Sequence, residues 1–154
     1  ESAEQLQSTR NACRWPPAGN RGVGYSRANL FGKHFTEYAK EAQSPLVVAQ
    51  LEHIRAVENL EEIISVKGLD AVFIGPYDLS ASMGLTGQFD SELFQTTMQR
   101  ILKTCQELSS PAGLHVVQPD PVELHARVEE GYQLLAYSID AVFLSSQIQN
   151  PKLS

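Results

Sequence analysis

Apolar residues fall into two patterns along this chain. Up to residue 44 they recur loosely, at helical spacing. From residue 45 short continuous apolar runs alternate with amphipathic stretches. Residues 2–14 read as a helix that Ser2 caps, with Ala3, Leu6 and Ala12 loosely periodic. A stiff and then flexible loop follows, Trp15-Pro16-Pro17-Ala18-Gly19-Asn20-Arg21-Gly22-Val23-Gly24. Residues 26–42 read as a second helix, with Leu30, Phe31, Phe35, Tyr38 and Ala39 on one side and Gly32 weakening it. Leu46 to Leu51 is then a strand of the kind buried on both faces in parallel sheets. An amphipathic helix is expected over 56–66, with Val57, Leu60, Ile63 and Ile64 inward and Gly68 ending it. Asp70 to Pro76 is a second buried strand. A long helix over 90–108, capped by Asp90, places Leu93, Phe94, Met98, Ile101, Leu102 and Cys105 on one face. Ala112 to Val117 is a third strand, and 121–131 a helix opened by Pro121 and closed by Gly131. Leu134 to Ser138 begins a fourth strand, running on toward Ala141-Val142-Phe143-Leu144.

Strands alternating with helices argue for parallel strands joined by right-handed crossovers. A doubly wound sheet and part of a (β/α)-barrel both fit. No G-x-G-x-x-G follows a strand and no phosphate-binding P-loop is present, which favours the barrel.

Composition and charge remove several function classes. The chain has 154 residues, 42% of them hydrophobic, enough to form a core. No apolar run approaches the roughly 20 residues of a membrane helix, so no membrane partner is expected. Net charge is −6, and the basic residues are scattered, which argues against nucleic acid. Cys13 and Cys105 form no metal-binding spacing and read as buried thiols in a reducing, cytoplasmic compartment.

In parallel α/β folds, chemistry sits at the carboxyl ends of the strands. The first strand ends in Gln50-Leu51-Glu52 and the second in Gly75-Pro76-Tyr77-Asp78. Two carboxylates without cysteine or clustered histidine suit a hard, oxygen-seeking cation such as Mg²⁺ or Mn²⁺. Gln50 and Glu52 point to the same side of their strand. Free amides at Tyr77 and Asp78 are placed to hold a carboxylate. The plainer alternative is that Asp78 and Ser80 only cap the following turn. His53 reads as a surface or packing residue. His115 either faces a barrel interior or is a satisfied core histidine. His34 and His125 read as solvated. Asp120 reads as a helix cap, Asp140 as a turn anchor or barrel-end support, and Arg21 as an anion binder or loop brace.

Taken together, Val48-Ala49-Gln50-Leu51-Glu52, Ala56-Val57-Glu58-Asn59-Leu60 and the run from Gly68 through Gly75-Pro76-Tyr77-Asp78-Leu79-Ser80 to Gly84 closely resemble the HpcH/HpaI aldolase family. These are metal-dependent, class II 2-oxo acid aldolases, to which macrophomate synthase is related. The Trp15–Gly24 loop is similar to the family's Y-P-P-x-G-x-R-G-x-G segment, with Trp15 for tyrosine. Gly131-Tyr132 and Tyr137-Ser138-Ile139-Asp140 resemble its last strand region.

The resemblance implies a (β/α)₈ TIM barrel of about 250 residues, of which this chain holds strands five to eight. It implies one partial domain: a helical and loop lead-in over 1–44, four β/α units over 45–144 and a tail over 145–154. It places metal ligation on Glu52 and Asp78, with Mg²⁺, Mn²⁺ or Co²⁺ as the ion. Substrate binding falls on Gln50 and on the amides of Tyr77 and Asp78. The Tyr77 ring would narrow the space for an aldehyde. The implied reaction is reversible cleavage of a 4-hydroxy-2-oxo acid to pyruvate and an aldehyde through a metal-stabilised enolate, with oxaloacetate decarboxylation using the same enolate. The family's basic histidine and its arginine match no residue here. The chain, which starts at Glu1, therefore reads as a truncated member of a homo-oligomeric family, incomplete for catalysis and weakly stable alone. A non-catalytic assembly partner of a full-length aldolase is the alternative.

Overall fold

In the computed structural model, which describes residues 1–148, four parallel strands form one sheet in the order β1-β2-β3-β4. They are β1 (Val48–Leu51), β2 (Ala71–Ile74), β3 (Ala112–Val116) and β4 (Leu134–Tyr137). Sequential order in a parallel sheet requires each crossover to move one strand along in the same sense, as in a barrel wall. The helices are α1 (Ala3–Cys13), α2 (Phe35–Glu41), α3 (Ile54–Glu58), α4 (Leu60–Ile64), α5 (Pro76–Ser82), α6 (Glu92–Glu107), α7 (Pro121–Glu130) and α8 (Asp140–Gln147). The result is half of a (β/α)₈ barrel. Among the described residues no helix is long and apolar enough to cross a membrane.

The core lies on one side of the sheet. Leu51, Val72, Ile74, Ala112 and Leu114 pack against Val57, Leu60, Ile63, Leu79, Phe94, Ile101 and Cys105 from the helices. The strands were expected to be covered on both faces. Instead Val48 and Leu134, on the outer strands, remain 37% and 36% exposed. The helices cover a single face, so the opposite face is open at β1 and β4. Gly113 permits close strand approach there: a Cβ would lie 2.7 Å from both the Leu134 carbonyl oxygen and the Phe73 ring.

Several local expectations give way to specific geometry. The 26–42 segment is a 3₁₀ turn over Arg27–Gly32 followed by α2, because Leu30, Phe31 and Gly32 all adopt positive φ. Leu30 and Phe31 are consequently exposed. The 56–66 helix starts earlier and breaks at Asn59 into α3 and α4. Ser91, not Asp90, caps α6, accepting from the Phe94 amide at 3.3 Å. Leu93 lies off the buried stripe of Phe94, Thr97, Ile101 and Cys105 and is 60% exposed. The apolar run 141–144 is not strand but part of α8, which leaves it outside the sheet. Of the tail over 145–154, residues beyond 148 lie outside the described residues.

Other expectations hold. Ser2 accepts from the Gln5 amide, and Asp120 from Val122 at 2.8 Å. Gly131 ends α7 at φ 107°, a conformation glycine adopts without steric cost. Arg21 braces its loop, donating to the Tyr38 hydroxyl at 2.9 Å and stacking over Trp15.

Both cysteines are free. Cys105 is fully buried, and burial pushes its thiol up to about 11, whereas Cys13 is only half-buried. A disulfide exchange reagent at pH 8 is expected to titrate one thiol rapidly in the native chain and the second only after denaturation. Two equally fast thiols would contradict this packing.

Candidate active site

β1 and β2 pair in parallel, with Gln50 opposite Phe73 and Leu51 opposite Ile74. One step further on, Glu52 therefore leaves the sheet beside Gly75, at the carboxyl end of both strands. The Gly75 amide donates to the Leu51 carbonyl at 3.1 Å and fixes that register. Gly75 has ordinary φ, so its lack of a side chain serves space rather than conformation. A Cβ there would stand 3.3 Å from the Gln50 amide nitrogen and 3.5 Å from a Glu52 carboxylate oxygen.

Gln50 Nε2 donates to Glu52 Oε2 at 2.7 Å. The bond orients the carboxylate and leaves its second oxygen and the Gln50 carbonyl oxygen for other partners. Both side chains are exposed at the strand end.

The turn after β2 is the first turn of a helix. Gly75 is the cap of α5 and Pro76 its first residue, where a missing N–H costs nothing. Leu79 is the first residue to bond back, to the Gly75 carbonyl at 2.9 Å. The amides of Tyr77 and Asp78 therefore have no carbonyl four residues back within the helix. Asp78 is exposed in the same turn. Ser80 is fully buried, donating to the Tyr77 carbonyl and accepting from the Gly87 amide, so it braces the loop rather than capping it. The Tyr77 ring meets Phe89 edge-on at 4.9 Å, which commits it to the α6 side.

His53, expected as a surface or packing residue, and Ser82, to which no role was given, fasten this region. His53 caps α3, its Nδ1 accepting from the Arg55 amide at 3.2 Å. Ser82 accepts from the Ile54 amide at 2.9 Å, linking the loop after β1 to α5. Neither contact carries a sequence signature. His34 and His125 are exposed, and Asp140 accepts from the adjacent Ala141 amide at the start of α8.

Gln50 and Glu52 line a cavity of about 330 Å³ along β1. Tyr77 and His115 line a larger one of about 470 Å³ that extends between α6 and α7. Glu52 opens onto the smaller of these two.

The donor set is all oxygen, on two neighbouring strand ends. Among the described residues no three His, Cys, Asp or Glu side chains converge. An all-oxygen donor pair, by its chemistry, suits a hard cation that takes one or two protein carboxylates and completes its shell with water or substrate. It does not fit a closed structural zinc site.

Four parallel strands in sequential order, joined by helices, define the class: half of a (β/α)₈ barrel, with Glu52 and Asp78 following the carboxyl ends of two neighbouring strands. The HpcH/HpaI aldolase/citrate lyase family model matches residues 1–146, and the chain belongs to that family. It is 38% identical over 148 residues to a hydroxypyruvate/pyruvate aldolase from Roseobacter denitrificans, covering 94% of this chain and 56% of that protein. It is also 38% identical to a 4-hydroxy-2-oxovalerate aldolase from Novosphingobium aromaticivorans, covering 92% and 53%. A HpcH/HpaI aldolase/citrate lyase family structure from Burkholderia cenocepacia superposes with a TM-score of 0.86 at 30% identity, covering 95% of this chain and 58% of that one. The chain thus spans just over half the length of these relatives.

Proposed function

We propose that this chain carries the metal- and pyruvate-binding half of a class II aldolase site. The reading rests on Glu52 and the Gly75–Asp78 turn at neighbouring strand ends, with Gln50 bonded to Glu52, in a chain of this family. Glu52 and Asp78 would hold one Mg²⁺, Mn²⁺ or Co²⁺. Such an ion supplies Lewis acidity at the 2-oxo group, favouring the enolate charge that carbon–carbon cleavage leaves on pyruvate.

The protein's own groups supply orientation. The Tyr77 and Asp78 amides, at the positive end of α5, hold the substrate carboxylate. Gln50 contributes a side-chain hydrogen bond to the 2-oxo acid while keeping Glu52 in place. Two anchoring points fix the C3–C4 bond of a 4-hydroxy-2-oxo acid in one orientation. Cleavage then sends the bond electrons to C3 as the C4 hydroxyl loses its proton, giving an aldehyde and the enolate of pyruvate, which becomes pyruvate when C3 takes up a proton from water. Oxaloacetate, losing CO₂ at the same carbon, is held in the same way. The base and the arginine that the family resemblance implies match no residue among these 154, so the bound complex is expected to turn over poorly in this chain alone. Two unpaired thiols support a reducing, cytoplasmic setting, and oligomerisation is expected of the family.

Calorimetric titration of pyruvate into the chain, with and without Mg²⁺, tests the reading. Pyruvate is expected to bind only with the ion present. Equal binding without the ion, or none with it, overturns the proposal.

A further inference from the structure

The cavity of about 470 Å³ lies between α6, α7 and the end of β3, apart from the one that Gln50 and Glu52 line. Its size is that of a small-molecule site, which ordinarily spans about 300–1,000 Å³ and combines apolar walls with a few converging polar groups. The sequence explains why this space is left. A helix that covers a sheet ordinarily turns an apolar stripe inward. α6 does so, and its Phe94, Met98 and Leu102, four residues apart, form one wall of the cavity. α7 does not. None of its residues is buried, and its Val122 and Val128 are 77% and 54% exposed. The residues it turns to the cavity are Glu123, Arg127 and Glu130, again a single helical face. An apolar wall therefore faces a charged one, and the two cannot close on each other without stripping water from the charges.

The charged wall has a definite sign. Arg127 is already engaged, donating to both carboxylate oxygens of Glu130 at 2.8 and 3.0 Å and to Glu123 at 3.4 Å. Two carboxylates surround one guanidinium, so this wall is net negative. Glu130 is also the last residue of α7, where the helix dipole adds partial negative charge. The remaining walls are rich in rings. Phe89 meets Tyr77 edge-on at 4.9 Å and Phe94 at 5.4 Å. Tyr132 lines the same space, and burial, with Glu130 nearby, pushes its phenol up to about 12, so it stays neutral. His115 is occupied elsewhere, its Nε2 lying 3.2 Å from the Ser138 carbonyl oxygen. Carboxylates and aromatic faces favour the same sign of ligand charge, a positive one.

We propose that this cavity is a binding site for an organic cation, an amine carried on an apolar or aromatic body of small-molecule size. The aromatic and aliphatic walls take the body, and the Glu123–Arg127–Glu130 face takes the ammonium group. A carboxylate of the same shape meets two like charges there. The site involves neither Glu52 nor Asp78, so it stands or falls independently of the aldolase reading.

The test titrates 2-phenylethylamine and 3-phenylpropionate, which share an aromatic body and carry opposite charges, into the full 154-residue chain without metal. Calorimetry gives the affinities, and ¹H–¹⁵N spectra give the location. The titrations are run at pH 8, above the range in which histidine ordinarily carries a proton. The amine is expected to bind at least roughly tenfold tighter than the carboxylate. Its shifts should centre on α6, α7 and the end of β3, with little change at residues 50–53. The double substitution Glu123→Gln and Glu130→Gln leaves Arg127 as the only charge on this wall, and the preference is expected to reverse. Both side chains are partly exposed, at 40% and 43%, so the fold should tolerate the change.

Equal affinities, a preference for the carboxylate, no binding of either compound, or shifts centred elsewhere each overturns the proposal. So does a preference for the amine that survives the double substitution. The comparison on the unaltered chain needs no variant, so it decides the matter by itself if the doubly substituted chain fails to fold.

Discussion

Glu52→Ala is expected to weaken ion-dependent pyruvate binding by at least roughly 100-fold, since losing even groups that merely support a metal ligand typically costs 10–100-fold. The substitution removes one of the two carboxylates proposed to ligate the ion. It also removes the acceptor of the 2.7 Å bond from Gln50, freeing the amide that would face the substrate. Because Glu52 is exposed and lies beyond the last residue of β1, the thermal midpoint should hardly move. Glu52→Gln separates charge from position. It keeps an oxygen for the Gln50 amide and loses the negative charge, so ion binding should fall nearly as far. Calorimetry with Mg²⁺ and pyruvate on both variants reads the result. Retained binding in either variant would mean that the ion, if held, is held elsewhere.

The second large effect is on stability. Ile101→Ala is expected to destabilise the chain by about 2–5 kcal/mol, in the range of Ile→Ala changes in packed cores. Ile101 is fully buried on α6, in the cluster that joins Leu51, Ile74 and Leu114 of the sheet to the helices. The open face of the sheet offers no second layer to compensate for the cavity. A domain this size holds only about 5–15 kcal/mol in total, so the loss is a large share of it. The thermal midpoint should fall by roughly 5–15 °C. Ile101→Val, removing one methyl, should cost about 0.5–1.5 kcal/mol. Urea unfolding followed by circular dichroism measures both. A loss below about 1 kcal/mol for the alanine variant would show that α6 is not packed as described.

Much of this architecture is legible in the chain because its strands are short apolar runs with clear punctuation. Pro45 precedes β1, Gly75-Pro76 follows β2, and Gly131 ends α7 before β4. The Ala141–Leu144 run shows where that signal fails. Four consecutive apolar residues fit a strand or a helix equally by periodicity, and the helix won. The break at Leu30 and Phe31 is invisible for a related reason. Two residues with bulky side chains adopt left-handed φ there, ahead of the glycine that normally marks such a turn.

The site divides the same way. Gln50 and Glu52 are readable because alternation along a strand puts them on one side, and their hydrogen bond follows from it. The contact of His115 with Ser138 is not. It depends on parallel pairing across β3 and β4 and on a positive φ that no glycine announces.

The central claim is that Glu52 and Asp78, from two neighbouring strand ends, hold one divalent cation. Titrating Mn²⁺ into ¹⁵N-labelled chain and following the paramagnetic broadening of backbone amides tests it most directly. The account expects saturation at one ion per chain, with the strongest broadening at residues 50–53 and 75–79. Broadening centred on other carboxylates, such as Glu123 and Glu130 of α7, or weak broadening spread over the acidic surface without saturation, would contradict it.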